Sequence, residues 1–283
     1  MFFELIKFIG YSALIVIISK YILVTTLRRL AENLSLKPQT VGDIAGYATS
    51  VPELLTIITS SVKGLMSTSI FNILSSNVIN LIQYLTAIIL NKNRRALLNR
   101  AIQVDIFMVL LTIIIPVLLI GFNIQMGVFI VPIFIILYVF FKFLNNNVHK
   151  LYLKKEDEIL AKQIEEEEKL EIGNTRKTLL YVFYLAITGI LLYVIGDALG
   201  STLESLARNF NVSEIVLGIL LGFTTSIPEL ITFFESQRHY KNEGNNDILG
   251  VVEATNNLLT SNILNLFVIQ SIGLVIFSFF NNL

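Results

Sequence analysis

The sequence predicts an all-α polytopic membrane protein made of two inverted-topology repeats, with about eight transmembrane helices broken where polar residues gather. Three observations predict this. Apolar runs of spanning length recur through the 283 residues, and a chain 54% hydrophobic, 15% charged and of mean hydropathy +0.72 has the composition of a bundle embedded in lipid. Backbone that crosses a bilayer must satisfy its own hydrogen bonds, so these runs are helices. A rare hexapeptide is written twice, as Thr49-Ser50-Val51-Pro52-Glu53-Leu54 and Thr225-Ser226-Ile227-Pro228-Glu229-Leu230, each time inside an apolar run. A carboxylate at membrane depth is costly and marks a functional position.

The spans fall at about 4–27, 39–62, 66–90, 102–121, 124–144, 178–200, 212–236 and 247–281. The first has no small-residue cleavage site behind it and reads as a retained helix, not a signal peptide. The second carries the first hexapeptide, the third a polar cluster, and the fourth and fifth are plainly apolar. A charged segment at 145–177 follows, where Glu158 with Lys162 and Glu165 with Lys169 stand at i,i+4 spacing, as on an exposed linker helix. The sixth span is apolar, the seventh carries the second hexapeptide, and the eighth is long enough for a broken helix plus a full span. The chain thus divides into a first half at 1–144, the linker at 145–177 and a second half at 178–283.

A shift of 176 residues aligns Leu27 with Leu203, Ala31 with Ala207, Asn33 with Asn209, Gly42 with Gly218 and Gly46 with Gly222, and brings the hexapeptides into register. Thr56 falls on Thr232. Five spans separate the starts of the two copies, at 39–90 and 212–281; an odd number sets them facing opposite ways across the membrane. The loops after spans one, three, five and seven hold Arg28, Arg29, Lys37, Lys92, Arg94, Arg95, Arg100, Arg238 and Lys241, whereas the other side has little beyond Lys7, Lys63 and Arg208. The positive-inside rule therefore places the amino terminus outside and the linker in the cytoplasm.

Each hexapeptide is followed by a second cluster, Ser75-Ser76-Asn77-Val78-Ile79-Asn80 and Thr260-Ser261-Asn262-Ile263-Leu264-Asn265, the second delayed by nine residues that fit a longer loop around 238–246. Ser76 and Asn80 share a helix face, as do Ser261 and Asn265. Glu53 and Glu229 offer two negative charges, Asn80 and Asn265 amide carbonyls, and Thr49, Ser50, Ser76, Thr225, Ser226 and Ser261 hydroxyls. Pro52 and Pro228 have no N–H, which frees the carbonyls of Ala48 and Thr224. The donor set is all oxygen and suits calcium. With no cysteine, and with its two histidines, His149 and His239, in loops, the chain is not equipped for a soft transition metal. Zero net charge makes no case for nucleic acid.

The paired Thr-Ser-x-Pro-Glu-Leu and Ser-Asn-x-x-Asn motifs resemble the alpha repeats of the calcium/cation antiporter superfamily, the sodium/calcium exchanger-like membrane proteins. The resemblance covers spans one to three and six to eight. It implies alternating-access exchange of Ca2+ for Na+, or for H+, with no organic cofactor, in the cell membrane. It also implies that Glu53, Asn80, Glu229 and Asn265 hold the ions centrally and that the six hydroxyl residues flank them. This chain departs from the family in having Ser75 and Thr260 where Gly is usual, and Asn265 where many sodium-coupled members have Asp. Ten spans are common in the family, so the eight here leave a face that a second copy, in a homodimer, is one way to cover.

Asp43 and Glu253 are further acids in apolar surroundings, open to a proton-coupling role or to a polar partner; Asp105 and Asp197, near span ends, are expected at the interface. An intramembrane hydrolase would need a nucleophile with a base, a His pair or an Asp dyad, and none stands at suitable spacing. A channel-like or transport-dead ion-binding homologue and a proton-coupled Ca2+ exchanger remain as alternatives to the sodium-coupled antiporter.

Overall fold

The two Ser-x-Pro-Glu sequences organise the computed structural model, which describes residues 2–34, 38–124, 126–156, 175–242 and 247–281. The first membrane helix runs as α1 (Phe2–Ile18), a π-helical segment (Ser19–Val24) and α2 (Thr25–Asn33). Next come α3 (Pro38–Thr49) and α4 (Val51–Val62), separated by Ser50 alone. Then follow α5 (Met66–Leu90), α6 (Arg100–Gly121) and α7 (Val131–Glu156). The second half opens with α8 (Thr175–Glu204), which ends in a π-helical segment at Ser205–Asn209. It continues with α9 (Glu214–Thr225) and α10 (Ile227–Asn242), separated by Ser226. It closes with α11 (Asp247–Ile263), a π-helical segment (Leu264–Ile269) and α12 (Gln270–Asn281).

Among the described residues, seven stretches are long and apolar enough to cross a membrane. The eighth expected span, 39–62, is the α3–α4 pair, whose polar residues hold its hydropathy down while its counterpart α9–α10 qualifies. The expected breaks at the hexapeptides are present, and one other expectation needs correcting. The helix breaks are kinks of one residue, with Ser50 at φ −81°, ψ −1° and Ser226 at φ −80°, ψ 0°. Hydrogen bonds step across each: Ser50 N–H donates to Gly46 O at 3.2 Å and Leu54 N–H to Ser50 O at 3.0 Å. The run at 247–281 is one continuous helical path through a π-helical turn, not a broken helix followed by a separate span. Part of the nine-residue insertion is helix, since α10 continues to Asn242. His149 and His239, expected in loops, stand on the ends of α7 and α10, where the helices run on past the apolar spans; their side chains, and the pairs Glu158–Lys162 and Glu165–Lys169, lie outside the described part.

The halves interlock. α3 lies along α11 and α9 lies along α5, so each first half-helix packs on the third helix of the opposite repeat. Gly46 and Gly222 make this possible: a Cβ on Gly46 would stand 2.9 Å from the Asn257 carbonyl, and one on Gly222 2.8 Å from that of Asn72. The same glycines absorb the chain's departure from the usual motif, because Thr260 faces Gly46 and Ser75 faces Gly222. α1 and α2 pack on α8 along one flank; on another α6 covers α5 and α11, and α7 covers α6, the π-helical segment at Leu264–Ile269 and α12. An apolar cluster around Tyr84, Phe134, Phe233 and Phe267 fills the second flank, and one around Ile15, Leu192, Leu199 and Leu221 fills the first. Between them the middle of the bundle is polar.

Candidate cation site

The proline of each hexapeptide sits in the first turn of α4 or α10, where a missing N–H costs nothing, and the glutamate follows it. Both carboxylates point into the bundle and are fully buried. Ser76, on α5, donates to Glu53 Oε1 at 3.2 Å; Ser261, on α11, donates to Glu229 Oε1 at 3.2 Å. The hydroxyls are shared between the repeats: Ser76 meets Thr225 at 3.4 Å and Ser261 meets Ser50 at 3.0 Å.

Behind each glutamate a second polar chain repeats itself. Asn72 Nδ2 donates to Thr56 Oγ1 at 2.7 Å, and Thr56 donates to Glu53 O at 2.9 Å. Asn257 Nδ2 donates to Thr232 Oγ1 at 2.7 Å, and Thr232 to Glu229 O at 2.8 Å. Thr49 reaches across to Asn257 Oδ1 at 3.4 Å, and Thr225 to Asn72 Oδ1 at 3.5 Å. These contacts fix the carbonyl ends of both kinks.

At the meeting line of the two repeats four amides form a bracket. Asn77 Nδ2 donates to the backbone carbonyl of Asn262 at 3.2 Å and Asn262 Nδ2 to that of Asn77 at 3.1 Å. A backbone carbonyl only accepts, so each bond fixes which end of its amide is nitrogen. The oxygens left over receive the next pair: Asn80 Nδ2 donates to Asn262 Oδ1 at 3.1 Å and Asn265 Nδ2 to Asn77 Oδ1 at 3.3 Å. Asn80 and Asn265 are thereby held by their nitrogens, leaving their carbonyl oxygens unengaged.

Five buried oxygens in this region have no hydrogen-bond partner among the described residues: Glu53 Oε2, Glu229 Oε2, Asn80 Oδ1, Asn265 Oδ1 and Ser226 Oγ. Leaving buried polar atoms unpaired costs about 1–3 kcal/mol each, and more for charged groups, so such a group calls for an explanation. Every one of the five can accept, and they are oxygens of the kinds that calcium takes, carboxylate, amide carbonyl and hydroxyl. Asn265 lies on the π-helical turn at Leu264–Ile269, a geometry found often at functional positions, whereas Asn80 sits on regular helix.

All ten residues singled out from the sequence fall in this region, every one of them buried. Sequence reasoning missed Asn77 and Asn262 as the residues that orient the set, and Asn72 and Asn257 as those that anchor the kinks. Their signal was present, because each occurs twice at matching places. Of the other acids, Asp43 has a polar partner shell: it accepts from Thr260 and, at 3.3 Å, from Asn256, and pairs with Lys142 at 3.3 Å. Glu253 accepts from Ser236 at 2.5 Å. Asp197 is exposed, and Asp105 is wholly buried on α6 near Tyr84. It stands in the second turn of α6, covered by neighbouring helices.

Comparison with solved structures finds the sodium-calcium exchanger NCX_Mj in several ion-soaked states. The form soaked with 100 mM Na+ and 10 mM Sr2+ matches with a TM-score of 0.53 at 22% identity, over 96% of this chain and 82% of that one. The form soaked with 10 mM Na+ and zero Ca2+ matches with a TM-score of 0.53 at 21% identity, over 96% and 83%. At that identity the likeness speaks for the fold. No curated protein matches the chain in sequence. The profile described as "Sodium/calcium exchanger protein" matches residues 5–145 and 180–282, most of the sequence. The chain therefore belongs to the sodium/calcium exchanger protein family, as an integral membrane protein of multi-pass helical build.

Proposed function

We propose that the protein is a calcium:cation antiporter that exchanges Ca2+ for Na+ or H+ by alternating access, with Glu53, Asn80, Glu229 and Asn265 at the centre of the ion site. Thr49, Ser50, Ser76, Thr225, Ser226 and Ser261 flank it. The observation that carries this reading is the set of five buried, unengaged acceptor oxygens, contributed about equally by the two repeats. A site made from both halves is exposed to one side or the other when the halves rock, which is the geometry of alternating access. Two buried carboxylates without a counter-charge are unfavourable to carry through a closed state, so an empty cage is kept from crossing and exchange becomes obligatory. In this reading the amino terminus is outside, the linker at 145–177 is cytoplasmic, and the units are 1–144 and 178–283.

The test is Ca2+ uptake into proteoliposomes with Na+ and H+ gradients imposed separately. Uptake driven by one opposing gradient, and lost in both Glu53→Gln and Glu229→Gln, is the expected result. Full uptake in either variant removes the site, and uptake that needs no counter-ion makes the protein a channel.

A further inference from the structure

We infer a second cation-binding position at Glu253 and Ser236, where Ca2+ pauses between the central site and one face of the membrane. This rests on the antiporter reading above and adds a step to its ion path.

Two polar ladders lead away from the glutamates. Between α10 and α11, Glu229 meets Ser261 at 3.2 Å, Thr232 meets Asn257 at 2.7 Å and Ser236 meets Glu253 at 2.5 Å. Between α4 and α5, Glu53 meets Ser76 at 3.2 Å, Thr56 meets Asn72 at 2.7 Å and Ser60 meets Ser69 at 2.6 Å. Every one of these residues is buried. The rungs fall at 229, 232 and 236 on one helix and at 53, 56 and 60 on the other, so each ladder climbs about 10 Å from its glutamate. They climb towards opposite faces. Ser69 belongs to the first turn of α5, whereas Gln237, next to Ser236, accepts at 3.3 Å and 3.0 Å from Asn91 and Asn93, just past its last turn.

The outermost rungs differ. In the first repeat two hydroxyls make the rung, so joining the helices at that height requires no carboxylate. In the second repeat Glu253 stands there, and its counterpart is Thr68. A carboxylate in place of a hydroxyl adds negative charge and oxygen ligands, the two things that hold a hard cation. A small cavity borders Glu253 and Thr232, with room for about one water, and its other walls include Val24, Leu27, Ile44 and Ala45. An ion beside Glu253 and the Ser236 hydroxyl would complete its shell with water. Such a position is strong enough to be entered and weak enough to be left. Thr232 carries the trail inward, since its hydroxyl donates to Glu229 O at 2.8 Å.

The experiment uses the full-length protein in proteoliposomes. The chain has no cysteine, so Ala45→Cys places a single thiol in the wall of the cavity. A small, membrane-impermeant cationic thiol reagent is expected to modify it from the face that carries the exposed Leu98, which Leu98→Cys marks, and to modify Ser60→Cys from the opposite face. Ca2+ at about ten times its half-saturating concentration should slow modification of Ala45→Cys about tenfold. That protection is expected to persist when Glu53→Gln and Glu229→Gln are added. It should vanish with Glu253→Gln, and equally with Glu253→Thr, which copies the first repeat. Glu253→Gln should also slow Ca2+ uptake at low Ca2+ without changing the final ratio, because a stop on the path leaves the end points alone. Protection lost with the central glutamates, or kept without Glu253, overturns this position and leaves the antiporter standing. Wild-type Ca2+ uptake that responds to neither a Na+ nor an H+ gradient overturns the antiporter reading and, with it, the place of Glu253 on its path.

Discussion

Asn77 and Asn262 exchange side-chain-to-backbone hydrogen bonds of 3.2 Å and 3.1 Å across the seam between the repeats, and neither side chain is accessible to solvent. The pair touches no cation in the proposed site, yet it decides which atoms of Asn80 and Asn265 are free to do so.

Replacing Asn77 or Asn262 with Leu should therefore act through the ligands. Loss of an orienting partner of this kind lowers metal affinity about 10–100-fold. The KM for Ca2+ in vesicle uptake is expected to rise by that factor while kcat falls less, and Ca2+ titration by calorimetry should show the same weakening. A fall in kcat alone at unchanged KM would assign the pair a structural part only.

Glu53→Gln and Glu229→Gln should resemble one another closely. Each carboxylate accepts one serine at 3.2 Å and leaves one oxygen unengaged, so neither is privileged by its surroundings. Both variants are expected to keep their fold, because an amide can still accept from the serine, and both should lose Ca2+ uptake. Similar melting temperatures with unequal Ca2+ binding would show that the two halves contribute unequally.

Gly46→Ala and Gly222→Ala test the interlock. The added carbon would lie 2.9 Å and 2.8 Å from backbone oxygens, and backbone does not move aside as a side-chain tip does. Overpacking of this sort costs about 1–3 kcal/mol. Gly189→Ala is the control, since nothing stands within 4 Å of its added carbon. Thermal unfolding in detergent should separate the first two from the third.

Asp43→Ile copies Ile219, its counterpart in the second repeat. It leaves Thr260, Asn256 and Lys142 without their shared acceptor. Stranding buried donors costs about 1–3 kcal/mol. Lys142→Met removes a partly exposed ion pair and a cation–π contact with Tyr47, and should cost less than about 1 kcal/mol. Equal losses in the two would mean that the charge, not the hydrogen bonding, matters at this position.

The span pattern and the two-copy architecture were legible in the sequence because hydropathy and a repeated Gly, Pro, Glu and Asn register are local, linear signals. The Asn77–Asn262 bracket was not, since it pairs residues 185 positions apart and turns on which end of an amide faces a carbonyl. The burial of Asp105 was hidden for a similar reason: distance from a span end measures depth, not which neighbour covers the side chain. The π-helical turn at Leu264–Ile269 has no residue that announces it, and the same Ser-Asn-x-x-Asn motif lies on ordinary helix in α5. The kinks at Ser50 and Ser226 were legible in place from Pro52 and Pro228, but not in their slightness, because the serine N–H groups still reach back to Gly46 and Gly222 at 3.2 Å.

The four-amide bracket has a consequence for how the halves are joined. The groups that tie the two repeats together beside the cage are asparagine side chains and main-chain carbonyls, none of which gains or loses a proton over any physiological range. Acidification acts on carboxylates such as Glu53 and Glu229, while this contact keeps its strength. In the proposed antiporter the charge held between the two glutamates can thus change without weakening the contact between the repeats.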